Sequence, residues 1–375
     1  MNRKDSFTLM MLVPFFIQYG CSTQSESINI NPLETNSSSF TAKIVKYIPL
    51  SNQIEALIGS VERFIIGNSH IYVFDKRQTS GILIFSETGT FIRKISLGRG
   101  PGELINPNNF SVVDNQLIIS DFNYLKHYNL DGEFLFSKEL PLGWTFYSFE
   151  NFNDKHLIVQ GNTDSLIKQP SSKIQKYHIV NKKLSQSYMS YVETTDWLTS
   201  IFEKKPISYF NGKFLLLARP FNYIYQLDGK SLSEKYFIDF GSYNFTDADV
   251  SKGFEHILSL FRENRRMGLL DNLYENESLV CFSYASFANG SDVPVLFSKS
   301  TLETANFYEV LKNADLPKMD IVQALEDELI CLFLPGNFDE ATIGKYQSNG
   351  IIPKETTPDS NPIVFIIEIS VKTKN

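Results

Sequence analysis

Short runs of apolar residues recur along the chain, most of them preceded by a turn built from Asn, Asp or Gly. They read Ile71-Tyr72-Val73-Phe74, Leu117-Ile118-Ile119, Leu157-Ile158-Val159, Phe214-Leu215-Leu216-Leu217, Leu279-Val280-Cys281-Phe282 and Leu329-Ile330-Cys331-Leu332. Such runs are too short for helices, and their near-continuous apolar character marks strands covered on both faces. Turn chemistry before them, as at Asn68, Asp114-Asn115 and Asn211-Gly212, suits residues that tolerate positive φ. The spacing of about 50 residues matches propeller blades that carry insertions.

The unit after the β-rich run Phe91-Ile92-Arg93-Lys94-Ile95 shows the pattern best. Runs at 110–113, 116–120, 125–128 and 134–140 are joined by Asp114-Asn115 and Asp131-Gly132, giving a four-stranded antiparallel meander. The last unit has only three strands, at 321–325, 329–334 and 363–369. Residues 41–50 alternate through Ile44, Tyr47 and Ile48 and have no unit of their own. Pairing this strand with the last unit closes a ring and protects its edges. The expected fold is all-β: one six-bladed β-propeller over residues 40–375, closed by an N-terminal strand.

In such a meander, the second-to-third loops and the blade-to-blade loops emerge on one face. The long connections all fall there, at 96–109, 161–173, 191–205, 241–267, 286–293 and 335–361, whereas the opposite face has short turns. Functional residues concentrate on loops held by a rigid scaffold, so the loop-rich face is the expected recognition surface. Residues 249–266 place Val250, Phe254, Ile257, Leu258 and Phe261 at helical spacing, predicting one helical insertion. Its polar side carries Arg262, Arg265 and Arg266, a pattern that suits a capping helix with a solvated basic side more than a ligand clamp. Residues 335–361, rich in Gly, Pro, Asn and Thr, read as a mobile lid or a disordered loop.

The N-terminus adds an address. Asn2-Arg3-Lys4, an apolar stretch at 7–17, and then Cys21 after Gly20 resemble a bacterial lipoprotein signal. The resemblance implies a signal peptide over 1–20 and lipidation at Cys21, while Gln18 and Tyr19 depart from the usual cleavage box. Residues 21–39 are rich in Ser, Asn and Thr and predict a flexible tether. The expected location is the cell envelope, with the membrane reached through lipid. Net charge of −7 and the lack of a basic run exclude a nucleic-acid groove.

The segment Asp121…Leu125-Lys126-His127-Tyr128-Asn129-Leu130-Asp131-Gly132 resembles NHL-type repeats. Together with the lipoprotein-like start and Gly98-Arg99-Gly100-Pro101-Gly102-Glu103, the chain resembles the six-bladed propeller lipoproteins common in Bacteroidota (NHL-repeat-like or TolB-like propellers). Later blades depart from the pattern, with Ala218-Arg219 where the Asp would stand. The resemblance implies fold and location more than activity.

Candidate chemistry is sparse. The glycine-rich turn lacks the Gly-Lys-Ser/Thr ending of a phosphate loop and enters a strand, so its glycines read as a blade-to-blade turn. The five histidines show no metal-ligand spacing, and no Gly-x-Ser-x-Gly elbow occurs. Cys281 and Cys331 sit at one offset in equivalent strands and read as small buried hydrophobes rather than a disulfide. Neither a cofactor nor a metal is expected. The reading is a non-catalytic binding module whose partner is an envelope protein, a carbohydrate or a peptide. The alternative is a channel-centred, metal-dependent hydrolase or lyase acting on a sugar or lactone, for which Glu62, Glu103, Asp121 and Glu150 stand near the expected channel. Expected binding residues are Arg99 and Glu103, on a turn fixed by glycines and Pro101, with Asp75, Asp121 and Arg219 at equivalent strand ends around one mouth.

Overall fold

The computed structural model describes residues 25–31, 38–76, 81–140, 144–153, 156–163, 172–190, 205–217, 222–228, 231–286 and 291–372. Two strands precede the first blade, β1 (Glu26–Asn29) and β2 (Phe40–Pro49). Blade 1 comprises β3 (Arg63–Gly67), β4 (His70–Asp75), β5 (Gly81–Ser86) and β6 (Phe91–Ser96). Blade 2 comprises β7 (Pro107–Val113), β8 (Gln116–Asp121), β9 (Tyr124–Tyr128) and β10 (Phe134–Glu139). Blade 3 comprises β11 (Trp144–Asn153), β12 (His156–Thr163), β13 (Ser172–His178) and β14 (Lys183–Ser190). Blade 4 comprises β15 (Ile207–Phe210), β16 (Lys213–Leu217), β17 (Tyr223–Leu227) and β18 (Leu232–Asp239). Blade 5 comprises β19 (Gly268–Glu275), β20 (Leu279–Ser286), β21 (Ser291–Ser298) and β22 (Thr304–Asn306). Blade 6 runs β23 (Asp320–Leu325), β24 (Glu328–Phe333) and β25 (Ile363–Val371), with β2 as its outer strand.

The first strand of each blade is innermost. β3, β7, β11, β15, β19 and β23 contact one another in that order, and β23 returns to β3. Closure is the antiparallel pairing of β2 with β25, from Phe40 opposite Val371 to Pro49 opposite Ile363. The all-β, six-bladed propeller closed by an N-terminal strand is therefore the fold.

Hydrophobic cores lie between successive blades, which is why the second strands are apolar on both faces. Tyr72, Phe74 and Ile84 of blade 1 pack on Phe110, Leu117 and Ile119 of blade 2. Ile71 and Val73 pack on Ile330 and Leu332 of blade 6. The remaining junctions repeat the arrangement around the ring. Turns follow the predicted chemistry: Asn68, Asp114, Asn115 and Asn211 all hold positive φ. Cys281 and Cys331 are free and buried on adjacent blades, and burial pushes the Cys281 thiol up to about 12.

Three expectations are corrected. The flexible tether over 21–39 contains a folded element: β1 adds a fifth, parallel strand to the outer edge of β18, with Ile28 opposite Ile238. Ile28 is 1% exposed, and one apolar side chain reaching a blade core is enough to fix a short strand on an open edge. The helical insertion is broken in two, α1 (Asp247–Val250) and α2 (Phe254–Arg262), because Gly253 takes φ 88° between them. Val250, Ile257 and Phe261 still face one buried cluster. Two further helices occur, α3 (Phe307–Asn313) after the short β22 and α4 (Glu340–Ser348) inside the 335–361 connection.

That connection is neither a lid nor a disordered loop. Asp339 caps α4 by accepting from the Thr342 N–H at 2.7 Å, and Ile343 and Ile352 are buried. Asn361 donates to the Ser51 and Ala56 carbonyls and accepts from the Ile58 N–H, stitching the loop to the residues that lead into blade 1.

Candidate functional site at the channel mouth

The inner strands present their first residues to the loop-rich end of the channel, and two basic side chains from different blades converge there. Arg63, the first residue of β3, donates from Nη2 to Glu150 Oε1 of β11 at 3.0 Å. Ser111 of β7 donates to the other Glu150 oxygen at 3.4 Å. Lys205 precedes β15 and is held by its backbone, its N–H donating to Asp271 Oδ1 and its carbonyl accepting from the Leu273 N–H. Its ammonium lies 4.2 Å from the Tyr274 ring centroid, a cation–π contact.

A cavity of about 370 Å³ opens beside these groups between blades 5, 6 and 1. Its charged lining is Glu62, Arg63, Lys205, Asp292, Lys318 and Asp320, with Asn272 beside them. Tyr308 of α3 donates to Asp320 Oδ1 at 2.8 Å, and the Lys318 ammonium sits 4.2 Å over the Tyr308 ring. Burial holds the Tyr308 and Tyr274 hydroxyls far above the usual phenol range, so both remain donors. Lys205 loses affinity for its proton, to about 8, because burial penalises the ammonium; Glu150 opposes the shift and Arg63 adds to it. A second cavity of about 510 Å³ shares Val61 and Leu334 with the first and runs beneath the 335–361 connection.

Sequence-predicted residues divide clearly. Glu62 lines the cavity and Glu150 reaches the channel, as expected. Asp75 and Asp121 are both wholly buried. Asp75 accepts from the Gly59 N–H at 2.8 Å and from Ser60 Oγ at 3.2 Å. Asp121 accepts from the Ile105 and Asn106 N–H groups and pairs with Lys126 Nζ at 2.8 Å. Each carboxylate ties a blade to the connection that leads into it. Glu103 folds back on its own turn and accepts from the Gly100 N–H at 2.6 Å, close enough that a Cβ on Gly98 would clash with it. Arg99 is exposed on that turn. Arg219 and Cys21 lie outside the described residues. Asp75 and Asp121 thus stand at equivalent strand ends, as expected, with their carboxylates turned to the connections before their blades.

On the basic side of the capping helices, Arg262 and Arg265 are exposed, as expected of a solvated side, and Arg266 is engaged. Arg266 Nε donates to Asp249 Oδ2 at 2.8 Å, which with the Thr246 hydrogen bonds holds the Asp249 carboxyl well below its usual range despite burial. Among the described residues, no group of three or more His, Cys, Asp and Glu side chains could hold a metal. None of their helices is long and apolar enough to cross a membrane.

Residues 23–368 match the family described as "Domain of unknown function (DUF4934)". The chain belongs to the DUF4934 family. No curated protein matches this DUF4934 chain in sequence. In fold it is similar to a crystal structure of a Bacteroides fragilis protein inferred to be exported, at 15% identity and a TM-score of 0.68 over 93% of this chain and 100% of that one. A DUF4221 family member from Bacteroides vulgatus is similar over 89% of this chain and 99% of its own, at 10% identity and a TM-score of 0.51. At these identities the likeness is one of fold.

Proposed function

We propose that this DUF4934 protein is a lipid-anchored envelope propeller that binds a ligand or partner, without chemistry, at the channel mouth of its loop-rich face. The observation that carries the reading is the cavity of about 370 Å³ at that mouth, lined by polar and charged side chains from separate blades. The lipoprotein-like start ending in Cys21 supports the anchor, and the fold neighbour inferred to be exported is in keeping with an envelope location. The ligand classes that suit such a lining are carbohydrates and peptides.

Capture from native membranes tests this. The wild-type protein is compared with Asp320→Lys at the mouth and Glu87→Lys on the opposite face. The expected result is a partner or ligand lost with Asp320→Lys, kept with Glu87→Lys, and recovered chemically unchanged by mass spectrometry. Retention by the Asp320 variant overturns the face assignment, and conversion of the captured molecule overturns the non-catalytic reading.

A further inference from the structure

Strand β1 fixes where the chain before it meets the propeller. It runs parallel to β18, from Glu26 opposite Tyr236 to Asn29 opposite Asp239. β18 itself starts at the turn where the Asp228 N–H donates to the Ser231 carbonyl, and it ends at Asp239 on the loop-rich face. The chain therefore enters β1 from the side of the short turns. Cys21 stands five positions before Glu26, so a fully extended backbone carries it no farther than about 17 Å from there. Without β1 the first strand after Cys21 would be β2 in blade 6, and the reach would be several times longer.

Two apolar side chains stand at this end of the ring. Val180 in the β13–β14 turn of blade 3 is 65% exposed, and Leu302 in the β21–β22 turn of blade 5 is 61% exposed. They flank blade 4, each at the tip of an outer hairpin. Leu302 is held there by a backbone at φ 58°, a conformation uncommon for any residue but glycine, with its N–H donating to the Ser298 carbonyl. The exposed apolar side chains of the loop-rich face, Ile54, Leu97, Ile105 and Phe122, belong to blades 1 and 2, across the ring from blades 4 and 5. Charge does not choose between the two ends: Lys182, Lys183 and Lys213 are exposed at the short turns, with Asp228 and Glu277 among them.

We infer that the short-turn end of blades 3 to 5 lies on a lipid bilayer, with Val180 and Leu302 at its surface, so that the channel mouth opens away from the membrane. This rests on the proposed lipid at Cys21 and goes beyond it by assigning a face. A lipid chain so close to Glu26 holds that edge of the ring at the bilayer, and a second contact made from there is intramolecular. Two apolar tips can then enter the headgroup region with little further loss of freedom. The reverse orientation would require the chain to double back alongside β18 between Cys21 and Glu26, and it would press the cavity mouth against lipid.

The full chain, purified from membranes, is reconstituted into phosphatidylethanolamine–phosphatidylglycerol vesicles whose lipids carry a nitroxide just below the headgroup. Val180→Cys, Leu302→Cys and Phe122→Cys each take a polarity-sensitive fluorophore, while Cys281 and Cys331 are buried and stay unlabelled. The expected result is quenching at 180 and 302 about threefold stronger than at 122, unchanged in high salt. Equal quenching at the three sites, or stronger quenching at 122, overturns the inference. A blue shift at 302 without quenching also overturns it, by seating a protein or a second copy on those tips. In all of these cases the chain is still on the vesicles, so the lipid-anchor reading stands. Wild-type protein that does not stay with the vesicles retires the anchor and the inference together.

Discussion

Ile28 of β1 stands opposite Ile238 of β18 in a parallel pairing, and its side chain is buried in the core between blades 4 and 5. Residues 26–29 are therefore part of the propeller and not only a spacer. The Ile30 N–H donates to the Asp239 carbonyl, and Thr304 Oγ1 donates to the Asn29 carbonyl from blade 5. Ile28→Ala should destabilise the protein by about 2–5 kcal/mol, the usual range for emptying such a site. Urea unfolding checks this. A variant as stable as wild type would mean that β1 adds nothing to the blade it covers.

The proposed membrane anchor is separable from the fold by the same reasoning, because β1 begins at Glu26, beyond the proposed lipid site. Cys21→Ser should move the protein from the membrane fraction to the soluble fraction with its melting temperature unchanged. A variant that resists release in high salt would remove the lipoprotein reading.

Asp121 and Lys126 form a buried pair that fastens blade 2 to the connection before it. Asp121→Ala leaves Lys126 uncompensated and two N–H groups without acceptors. The expected loss is about 3–5 kcal/mol. Capture at the channel mouth should persist in whatever fraction stays folded. Loss of capture at unchanged stability would return Asp121 to the binding site.

Much of the architecture was legible because it repeats. Second strands such as Leu117-Ile118-Ile119 announce themselves by being apolar on both faces, and the unpartnered strand around Ile44 and Ile48 needed only the short last blade as its destination. β1 was not legible: Glu26-Ser27-Ile28-Asn29 holds one apolar residue, too few to show a period. Gly253 interrupts a helical pattern that side-chain spacing alone reads as continuous. The site was the least legible part. Arg63, Glu150, Lys205 and Tyr274 come from four blades, far apart in sequence, and only ring closure brings them together. Asp75, Asp121 and Glu103 drew attention as charged residues in regular positions, yet each spends its carboxylate on nearby backbone N–H groups. A charged residue opening an inner strand, as Arg63 and Asp320 do, was the available signal for the channel.

His127 gives the fold an acid-sensitive point. Its Nδ1 lies 3.0 Å from Gln116 Oε1, and its ring stacks on Phe136 with centroids 4.3 Å apart. Burial, with Lys138 nearby, lowers its pKa from 6.5 to about 4. Between those values the unfolded chain binds a proton that the folded protein refuses, so stability falls as pH drops from about 6.5 towards 4. His127→Phe keeps a ring against Phe136 and should flatten that part of the stability curve. An unchanged slope would assign the acid sensitivity to other groups.

Lys205 should act on the alkaline side in the same sense. Its folded pKa is lowered from 10.5 to about 8, so between these values the unfolded chain holds a proton that the folded one has released. Stability must therefore rise with pH across that window. Above about 10 the tyrosines oppose it, because the buried Tyr274 keeps its proton while unfolded tyrosines lose theirs, so the rise is read below that point. Lys205→Met removes a desolvated charge that Glu150 only partly offsets, and should leave stability at neutral pH equal or higher, with the rise above pH 8 gone. If Lys205→Met instead unfolds the protein at neutral pH, the ammonium is a structural pillar of the channel and its stacking on Tyr274 is the interaction that matters.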